Sequence, residues 1–214
     1  MKSKGVLSYI VIFLCLVVGG GIGKYCAKQL VRESGLGSII NSQKISDIRF
    51  HPVHLGWVST TLPFELREDK EIAKKAKEEI SVVEENTQAV KKLEIYQGSD
   101  KKNEVVAMLS KASFLHKIST DPRKDILGSA VLNSLGAEKM QDAIKNATYR
   151  KENGSDKLSY QTVAYVKGTP IIYSVVTCVK DNRLVSFSML AKENNLNEEI
   201  IFKVAKNTVC FPKI

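Results

Sequence analysis

The sequence contains few of the residues that build metal and catalytic sites. Its 214 residues include three histidines and four cysteines, and no two cysteines stand in CxxC spacing. A zinc site of that type is therefore excluded. The GxSxG motif of a nucleophile elbow is absent, and no cysteine is paired by pattern with a histidine and an asparagine or aspartate. The sequence thus predicts no catalytic residue, no cofactor-binding residue and no metal ligand.

The only metal-like spacing is that of His51 and His54, in RFHPVHLGW. Two histidines three residues apart can meet on a helix, but Pro52 and Gly56 disfavour a helix here. No acidic residue lies between them, unlike in the HExxH motif of zinc proteases. We expect no metal at this pair, and we expect His116, which stands alone, to be an ordinary polar residue.

Aromatic residues are also sparse, at 7% of the chain, with a single tryptophan. We expect Trp57 to pack at the edge of the domain or to lie near a membrane surface rather than to stack on a ligand. Tyr96, Tyr160, Tyr165 and Tyr173 fall in predicted strands. Aromatic residues in strands are first of all packing residues, although lining a pocket is the alternative for these four.

A nucleotide-binding loop is excluded at VVGGGIGKYC, residues 17–26. A Walker loop would need glycine at position 18 and serine or threonine at position 25, where the chain has Val18 and Tyr25. The dinucleotide motif fails because Lys24 stands where its last glycine should be. Both motifs follow a short strand, whereas residues 5–23 form one long run without a charge.

Residues 5–23 therefore predict a single transmembrane anchor. A helix of this length spans about 28 Å, close to the thickness of the hydrocarbon core. It follows a short basic leader, residues 1–4, and Lys24, Lys28 and Arg32 come directly after it, as expected where a helix emerges into headgroups. A cleaved signal sequence is the alternative, but the apolar run is longer than the usual signal core of about 7–15 residues.

The orientation of the anchor is less strongly encoded. The cations near its two ends nearly balance, so the positive-inside rule does not decide between the two orientations. A short basic leader before the first apolar segment usually stays in the cytoplasm. We therefore expect the rest of the chain to lie outside the cytoplasm.

The positive charge of the chain does not indicate nucleic-acid binding. The formal net charge is +9, but residues 1–32 hold five of the 32 cations and no acid. The remainder carries 27 cations against 23 acids, a net charge of only +4. Such a balance is typical of a solvated surface rather than of a phosphate-binding stripe.

Two of the four cysteines lie in the predicted domain, Cys178 and Cys210. If the domain lies outside a reducing compartment, they can form a disulfide that closes a loop of about thirty residues and adds about 3 kcal/mol to stability. Two separate buried thiols are the alternative, and the sequence slightly favours it.

The residues beyond the anchor predict a connector, 24–60, and one α+β domain, 61–214. The pattern of EIAKKAKEEISVVEE predicts a surface helix, and VKKLEIYQG and NEVVAMLSKASF predict two strands joined by the turn GSDKKN. Asp121-Pro122 predicts the start of a helix that Gly136 ends, and AEKMQDAIKNA predicts a shorter helix directly afterwards.

The end of the chain predicts three antiparallel strands and a final helix. KLSYQTVAYVKG, TPIIYSVVTCVKD and NRLVSFSMLAKE are joined by short turns, and apolar residues alternate with Ser186 and Ser188 as on a strand with one wet face. The last helix, NEEIIFKVAKNTVCF, is expected to be capped by Asn197 and to pack Ile201 and Val204 against the sheet.

The order of LPFEL, LEIYQG, an edge strand, DILGSAVLNSL, three strands and the helix IIFKVAKNTV resembles small PsbP-like α+β domains over about residues 60–211. The resemblance implies a central antiparallel sheet between helices. It also implies a binding or assembly role, because members of this family mostly act in that way. It brings no motif from which a functional residue can be transferred.

Together, these features predict a single-pass, membrane-anchored binding or assembly factor of the cell envelope, without catalytic activity. Its expected partners are the membrane and another protein, with no nucleic acid and no cofactor. A hydrolase-like enzyme whose active site carries no sequence motif is one alternative. A secreted soluble domain, left after signal cleavage, is another.

Overall fold

The protein contains two antiparallel sheets in the part of the chain that the structure, a computed structural model, describes: residues 44–83, 90–115, 117, 137–140, 147–166 and 168–212. The strands are β1 (His51–His54), β2 (Val58–Leu62), β3 (Arg67–Glu68), β4 (Val90–Asp100), β5 (Val105–Phe114), β6 (Ala137–Met140), β7 (Thr148–Glu152), β8 (Ser155–Val166), β9 (Thr169–Lys180), β10 (Arg183–Lys192) and β11 (Val209–Cys210). The larger sheet has the strand order β3-β4-β5-β10-β9-β8-β6, and β7 pairs with β8 beside β6. The smaller sheet has the order β1-β2-β11.

The centre of the larger sheet is buried on both faces. Every residue of β9 from Ile171 to Val179 is buried, which explains its nearly continuous apolar sequence. On β10 the predicted alternation is present, since Val185 and Phe187 are fully buried. The two serines of β10 are half-buried rather than wet, because the second face of the sheet is covered as well. The three predicted C-terminal strands are therefore confirmed. The sequence predicted one solvent-exposed face for β10, whereas both of its faces are covered.

Residues 44–60 belong to the folded domain, although the sequence predicted them as the last part of the connector. Ile45–Asp47 form a short 3-10 helix, and β1 and β2 form a hairpin. β2 then pairs with β11, so that Ser59 lies opposite Val209 and Val58 opposite Cys210. The prediction was wrong here because the pairing partner of β2 lies at the far end of the chain and leaves no local pattern.

In the described ranges, two α-helices accompany the sheets, α1 (Lys70–Val83) and α2 (Asn195–Asn207). Helix α1 matches the predicted surface helix, and Asp69 caps it by accepting a hydrogen bond from the Ile72 amide at 2.9 Å. Helix α2 packs Ile200, Ile201 and Val204, all fully buried, against the larger sheet.

The final helix is shorter than predicted and has a different cap. Asn194, not Asn197, is its N-cap, and its side chain accepts from the Asn197 amide at 2.9 Å. Asn197 is buried within the first turn, and its Nδ2 donates to the Lys192 carbonyl at 2.8 Å. The helix ends at Asn207 because Val209 and Cys210 pair with β2 instead of continuing the helical turn.

Residues 137–140 form strand β6, where the sequence predicted the start of a short helix. They pair with the edge of β8, with Ala137 opposite Val166 and Met140 opposite Ala164. Pairing with an open sheet edge overrides a weak helical preference. Residues 141–146 of that predicted helix, the predicted helix of residues 121–136, and the leader and anchor at residues 1–23 lie outside the described residues.

The fold is accordingly a sheet-dominated α+β fold with antiparallel strands and few helices. Apolar side chains of the larger sheet, helix α2 and the smaller sheet form one core, which includes Leu62, Leu109, Phe187 and Met189. Within the described part of the chain, no helix is both long enough and apolar enough to cross a membrane.

Candidate functional site

An ionic cluster joins β4, β5 and the β1–β2 loop. The Glu94 carboxylate forms ion pairs with Lys92 and with Lys111, whose Nζ lies 2.5 Å from Glu94 Oε2. Tyr96 donates its hydroxyl to the same oxygen at 3.2 Å, and the Lys111 ammonium lies 4.9 Å from the centre of the Tyr96 ring. Lys111 also donates to the Leu55 carbonyl at 3.1 Å, which ties the smaller sheet to the larger one.

These contacts change the pKa values of the cluster. Burial raises the pKa of Glu94, but hydrogen bonds from Lys111 and Lys92 outweigh that effect and lower the pKa from 4.5 to about 2. The hydrogen bond with Glu94 raises the pKa of Lys92. Burial, followed by the nearby Glu94 carboxylate, raises the pKa of Tyr96. Every shift thus keeps the group in the charge state that holds the cluster together.

A second ionic contact is more deeply buried. Lys157 is 2% exposed, and its Nζ lies 2.8 Å from Glu152 Oε2 and donates to the Thr208 carbonyl at 2.5 Å. Thr208 in turn donates its hydroxyl to the Val204 carbonyl at 2.8 Å and therefore accepts from the Thr60 hydroxyl at 2.9 Å. Lys157 thus satisfies the end of helix α2 rather than facing a substrate.

Cys178 and Cys210 form a disulfide that joins β9 to β11 and therefore links the two sheets. Both residues are fully buried. Of the two alternatives that the sequence left open, the structure has the bonded pair. Asn153 donates its Nδ2 to the Cys210 carbonyl at 3.2 Å, so the turn between β7 and β8 also contacts this junction.

Beside the disulfide, two cations lie over two aromatic rings. The Arg183 guanidinium is 5.1 Å from the centre of the Trp57 ring, and the Lys180 ammonium is 5.7 Å from the centre of the Phe211 ring. The two rings contact each other, with their centres 6.1 Å apart. We call Trp57, Lys180, Arg183 and Phe211 the cation–aromatic cluster.

The other face of the larger sheet carries a row of hydroxyl side chains. Ser110, Ser186 and Thr177 are directly opposite one another on β5, β10 and β9. The hydroxyl oxygens of Ser110 and Thr177 are buried, and they have no hydrogen-bond partner among the residues that the structure describes. Leaving such groups without a partner is costly. No local pattern indicates the row, because its members are far apart along the chain.

The two histidines of the predicted metal-like spacing do not converge. His51 and His54 lie on strand β1, where residues three apart point to opposite faces. Both are exposed, and the His54 Nδ1 atom lies 2.9 Å from the Ser59 hydroxyl. Among the residues that the structure describes, no three His, Cys, Asp or Glu side chains are placed to hold a metal ion. His116 lies outside the described residues.

The four tyrosines do not line a common pocket. Tyr160 and Tyr173 are buried, with ring centres 6.1 Å apart, and they act as packing residues. Tyr96 belongs to the ionic cluster on another strand, and Tyr165 is exposed on β8. Trp57 is half-buried against Phe211, so it packs at the edge of the domain, which is one of the two places predicted for it.

Sequence reasoning missed the cation–aromatic cluster. One part of it has a local signal, because Lys180 and Arg183 flank the two-residue turn Asp181-Asn182, and residues that flank such a turn lie opposite each other. The rings have no local signal. Trp57 and Phe211 come from opposite ends of the domain and meet only through the pairing of β2 with β11.

Comparisons with known proteins leave the family open. No protein-family model matches the chain, and no curated protein matches it. Thirteen chains of solved structures match. One is LpqN of Mycobacterium tuberculosis, described as involved in cell envelope biogenesis, with 13% identity, a TM-score of 0.36, and coverage of 80% of this chain and 99% of that chain. A TM-score this low does not establish a shared fold, and the resemblance to PsbP-like domains stays a prediction.

Proposed function

We propose that the protein is a single-pass, membrane-anchored binding or assembly factor whose PsbP-like α+β domain lies outside the cytoplasm. The observation that carries the proposal is the Cys178–Cys210 disulfide in a domain that follows the charge-free residues 5–23. Structural disulfides persist in oxidising compartments and are rare in the cytosol. An export or anchor segment followed by a disulfide-linked domain is the arrangement of an exported protein.

The contacts of the titratable side chains support binding rather than chemistry. In the described ranges, the buried Lys157 and the nearly buried Lys111 are each paired with a carboxylate, that of Glu152 and that of Glu94. Such closed pairs are typical of structural networks, in which perturbed pKa values stabilise the fold. Of the two cations of the cation–aromatic cluster, Arg183 is exposed and Lys180 is half-buried, so a partner can reach the cluster from solvent.

The first experiment determines the redox state of the pair in cells. Cys15 and Cys26 are replaced by serine, so that Cys178 and Cys210 are the only thiols left. Cells are quenched with acid, and the denatured protein is treated with a maleimide that adds a large mass, with and without prior reduction. We expect no addition without reduction and two additions after it. Two additions without reduction would place the domain in a reducing compartment and contradict the proposal.

Orientation is measured on the same background with Lys101→Cys, in the exposed turn between β4 and β5. A membrane-impermeant maleimide should label this variant in intact cells. Labelling that requires permeabilised cells would place the domain in the cytoplasm. The parent without Lys101→Cys is the control, because its two cysteines are buried and bonded.

The anchor and the binding role are tested separately. Mass spectrometry of the mature protein should find a peptide that contains residues 5–20, and its absence would indicate a cleaved signal and a secreted domain.

Copurification in detergent should yield a specific partner. If it yields none, and the purified protein turns over a substrate, the enzyme alternative replaces the binding role.

A further inference from the structure

We propose that the cation–aromatic cluster docks the domain onto anionic lipid headgroups of the membrane that holds the anchor. The inference rests on the proposed function, because it needs a tethered domain. In the docked state, the cluster is the surface of the domain that faces the bilayer, and the anionic headgroups are the groups that it binds.

The two cations of the cluster have an arrangement that folding alone disfavours. Lys180 and Arg183 are register partners on the β9–β10 hairpin, and like charges directly opposite each other on neighbouring strands repel. In the part of the chain that the structure describes, neither cation has a nitrogen within 4.0 Å of a carboxylate oxygen. This holds also for the carboxylate of Asp181, at the tip of the same hairpin. An external anion would relieve this repulsion.

The tryptophan of the cluster suits a membrane interface. Trp57 is half-buried, its ring centre lies 6.1 Å from that of Phe211, and the Arg183 guanidinium lies 5.1 Å from the centre of the Trp57 ring. Tryptophan is enriched where membranes meet water, because its ring is apolar and its N–H is polar. A cation beside such a ring places a positive charge at the depth of the phosphate groups.

The cluster is held rigid before any ligand binds. The Phe211 amide donates to the Trp57 carbonyl at 2.6 Å, and the Lys180 ammonium donates to the Asn153 carbonyl at 3.0 Å. The neighbouring Cys210 is bonded to Cys178. A preorganised surface loses little conformational entropy on binding, so weak contacts with headgroups suffice.

The tether brings the cluster within reach of the bilayer. Residues 24–43 separate the predicted anchor from the first described residue, and a segment of that length spans at most about 70 Å. The radius of gyration of a domain of this size is about 15 Å. Any face of the domain can therefore contact the membrane, and tethering raises the effective concentration of that contact. The face that docks is then the one whose cations are attracted to the anionic headgroups.

The test uses Trp57 as its probe, since it is the only tryptophan of the chain. The full-length protein is reconstituted into phosphatidylcholine vesicles with and without phosphatidylglycerol, each containing brominated phosphatidylcholine as a quencher. We expect strong quenching of Trp57 fluorescence only in the anionic vesicles. Raising the salt from 0.15 M to 1 M shortens the screening length from about 8 Å to about 3 Å and should reverse the quenching.

The double variant Lys180→Gln with Arg183→Gln should lose the quenching. Each cation near an anionic surface contributes about fivefold to the ratio of docked to free domain, so both together contribute about twenty-five-fold. The matched control is Lys101→Gln with Lys102→Gln, which removes the same charge from the exposed turn at the opposite end of the sheet. This control should keep the quenching. The charge-conserving pair Lys180→Arg with Arg183→Lys should keep it too, and it separates loss of charge from loss of fold.

Other outcomes overturn the inference. Equal quenching in both kinds of vesicle, or quenching that survives removal of the two cations, would show that headgroup charge does not hold the cluster at the membrane. If Trp57 is never quenched but the double variant loses a copurified protein, the cluster binds an acidic protein surface instead. Flotation with phosphatidylcholine vesicles checks the anchor independently, so failure to float contradicts the proposed function and not the assignment of the cluster.

Discussion

Three side chains converge on Glu94. Its carboxylate accepts from Tyr96 and pairs with Lys92 and with Lys111, which is only 11% exposed at its side chain. Lys111 also binds the Leu55 carbonyl. Loss of the carboxylate would therefore leave a nearly buried ammonium without a counter-charge and weaken the connection between the sheets.

The low pKa of Glu94 predicts that the domain loses stability in acid. Its folded pKa of about 2 is below the unfolded value of 4.5, so its stabilisation is complete above about pH 4.5 and is lost as the pH falls toward 2. We expect Glu94→Gln to lower the free energy of unfolding by about 2 kcal/mol at neutral pH, and by much less at pH 2. Urea unfolding in detergent between pH 2 and pH 7 measures both effects.

The control for this measurement is Glu65→Gln. Glu65 is 83% exposed and pairs with Arg67 at 3.6 Å, so its removal should change stability little at any pH. If the free energy of unfolding depends on pH in the same way in the wild type and in Glu94→Gln, the Glu94 cluster does not contribute to acid sensitivity.

The close packing around Gly98 predicts that a substitution at this position lowers stability. A Cβ atom at this position would lie 2.1 Å from the Glu65 carbonyl oxygen, which is backbone and cannot turn aside. We expect Gly98→Ala to destabilise the domain by about 2 kcal/mol or more, because β4 and the segment at Glu65 must move apart. The control is Ser99→Ala on the same strand. Thermal unfolding that is unchanged in Gly98→Ala would contradict the close approach.

Helix α2 is stabilised by its cap as well as by its buried face. Asn194 accepts a hydrogen bond from the Asn197 amide, and Lys206 in the last turn complements the negative end of the helix dipole. Phe202 remains 61% exposed on the outer face. The cap therefore fixes where the helix begins, while Ile200, Ile201 and Val204 fix how it packs.

Replacing Asn194 by alanine should cost about 1 kcal/mol, the usual value for a lost side-chain cap. Asn195→Ala is the matched control, because Asn195 is exposed and is already the first helical residue. Denaturant unfolding of the two variants checks the prediction. An equal loss in both would show that the Asn194 side chain contributes nothing beyond its neighbour.

Elements with local partners could be predicted from the sequence. Strands β8, β9 and β10 are joined by tight turns, and their pattern and order follow from neighbouring residues. The cap could not be assigned from NNLN alone, because Asn194 and Asn197 are chemically identical and only backbone geometry distinguishes them. The residues of strand β6 predict a helix because they favour a helix locally, and they become a strand only by pairing with β8.

The two-sheet arrangement of the whole molecule depends on contacts between the ends of the domain. Thr60 and Thr208 bond across 148 positions of sequence, and Trp57 meets Phe211 in the same region. No local pattern encodes such pairings, so the sequence predicted the central strands of the larger sheet, β4, β5, β8, β9 and β10, and missed the smaller sheet. The cation–aromatic cluster was missed for the same reason, although the hairpin that carries its cations was predicted.

The disulfide predicts a difference between the two sheets in amide hydrogen exchange. Amides of β9 and β10 should exchange slowest, because these strands are central and buried. Reduction of Cys178–Cys210 should speed exchange in β1, β2 and β11 while leaving the centre of β9 nearly unchanged. Mass spectrometry of the oxidised and reduced protein measures this. Equal acceleration in both sheets would show that they unfold as one unit.

Pairing of β2 with β11 has a consequence for the order in which the protein is made. Val58 and Leu62 are among the first residues of the domain to leave the ribosome, and both are buried in the finished structure. Their strand partner, Val209–Cys210, lies at the other end of the domain and leaves the ribosome much later. The smaller sheet can therefore form only after β11 has emerged, and a chain that lacks β11 would present an unpaired, apolar strand to chaperones and proteases.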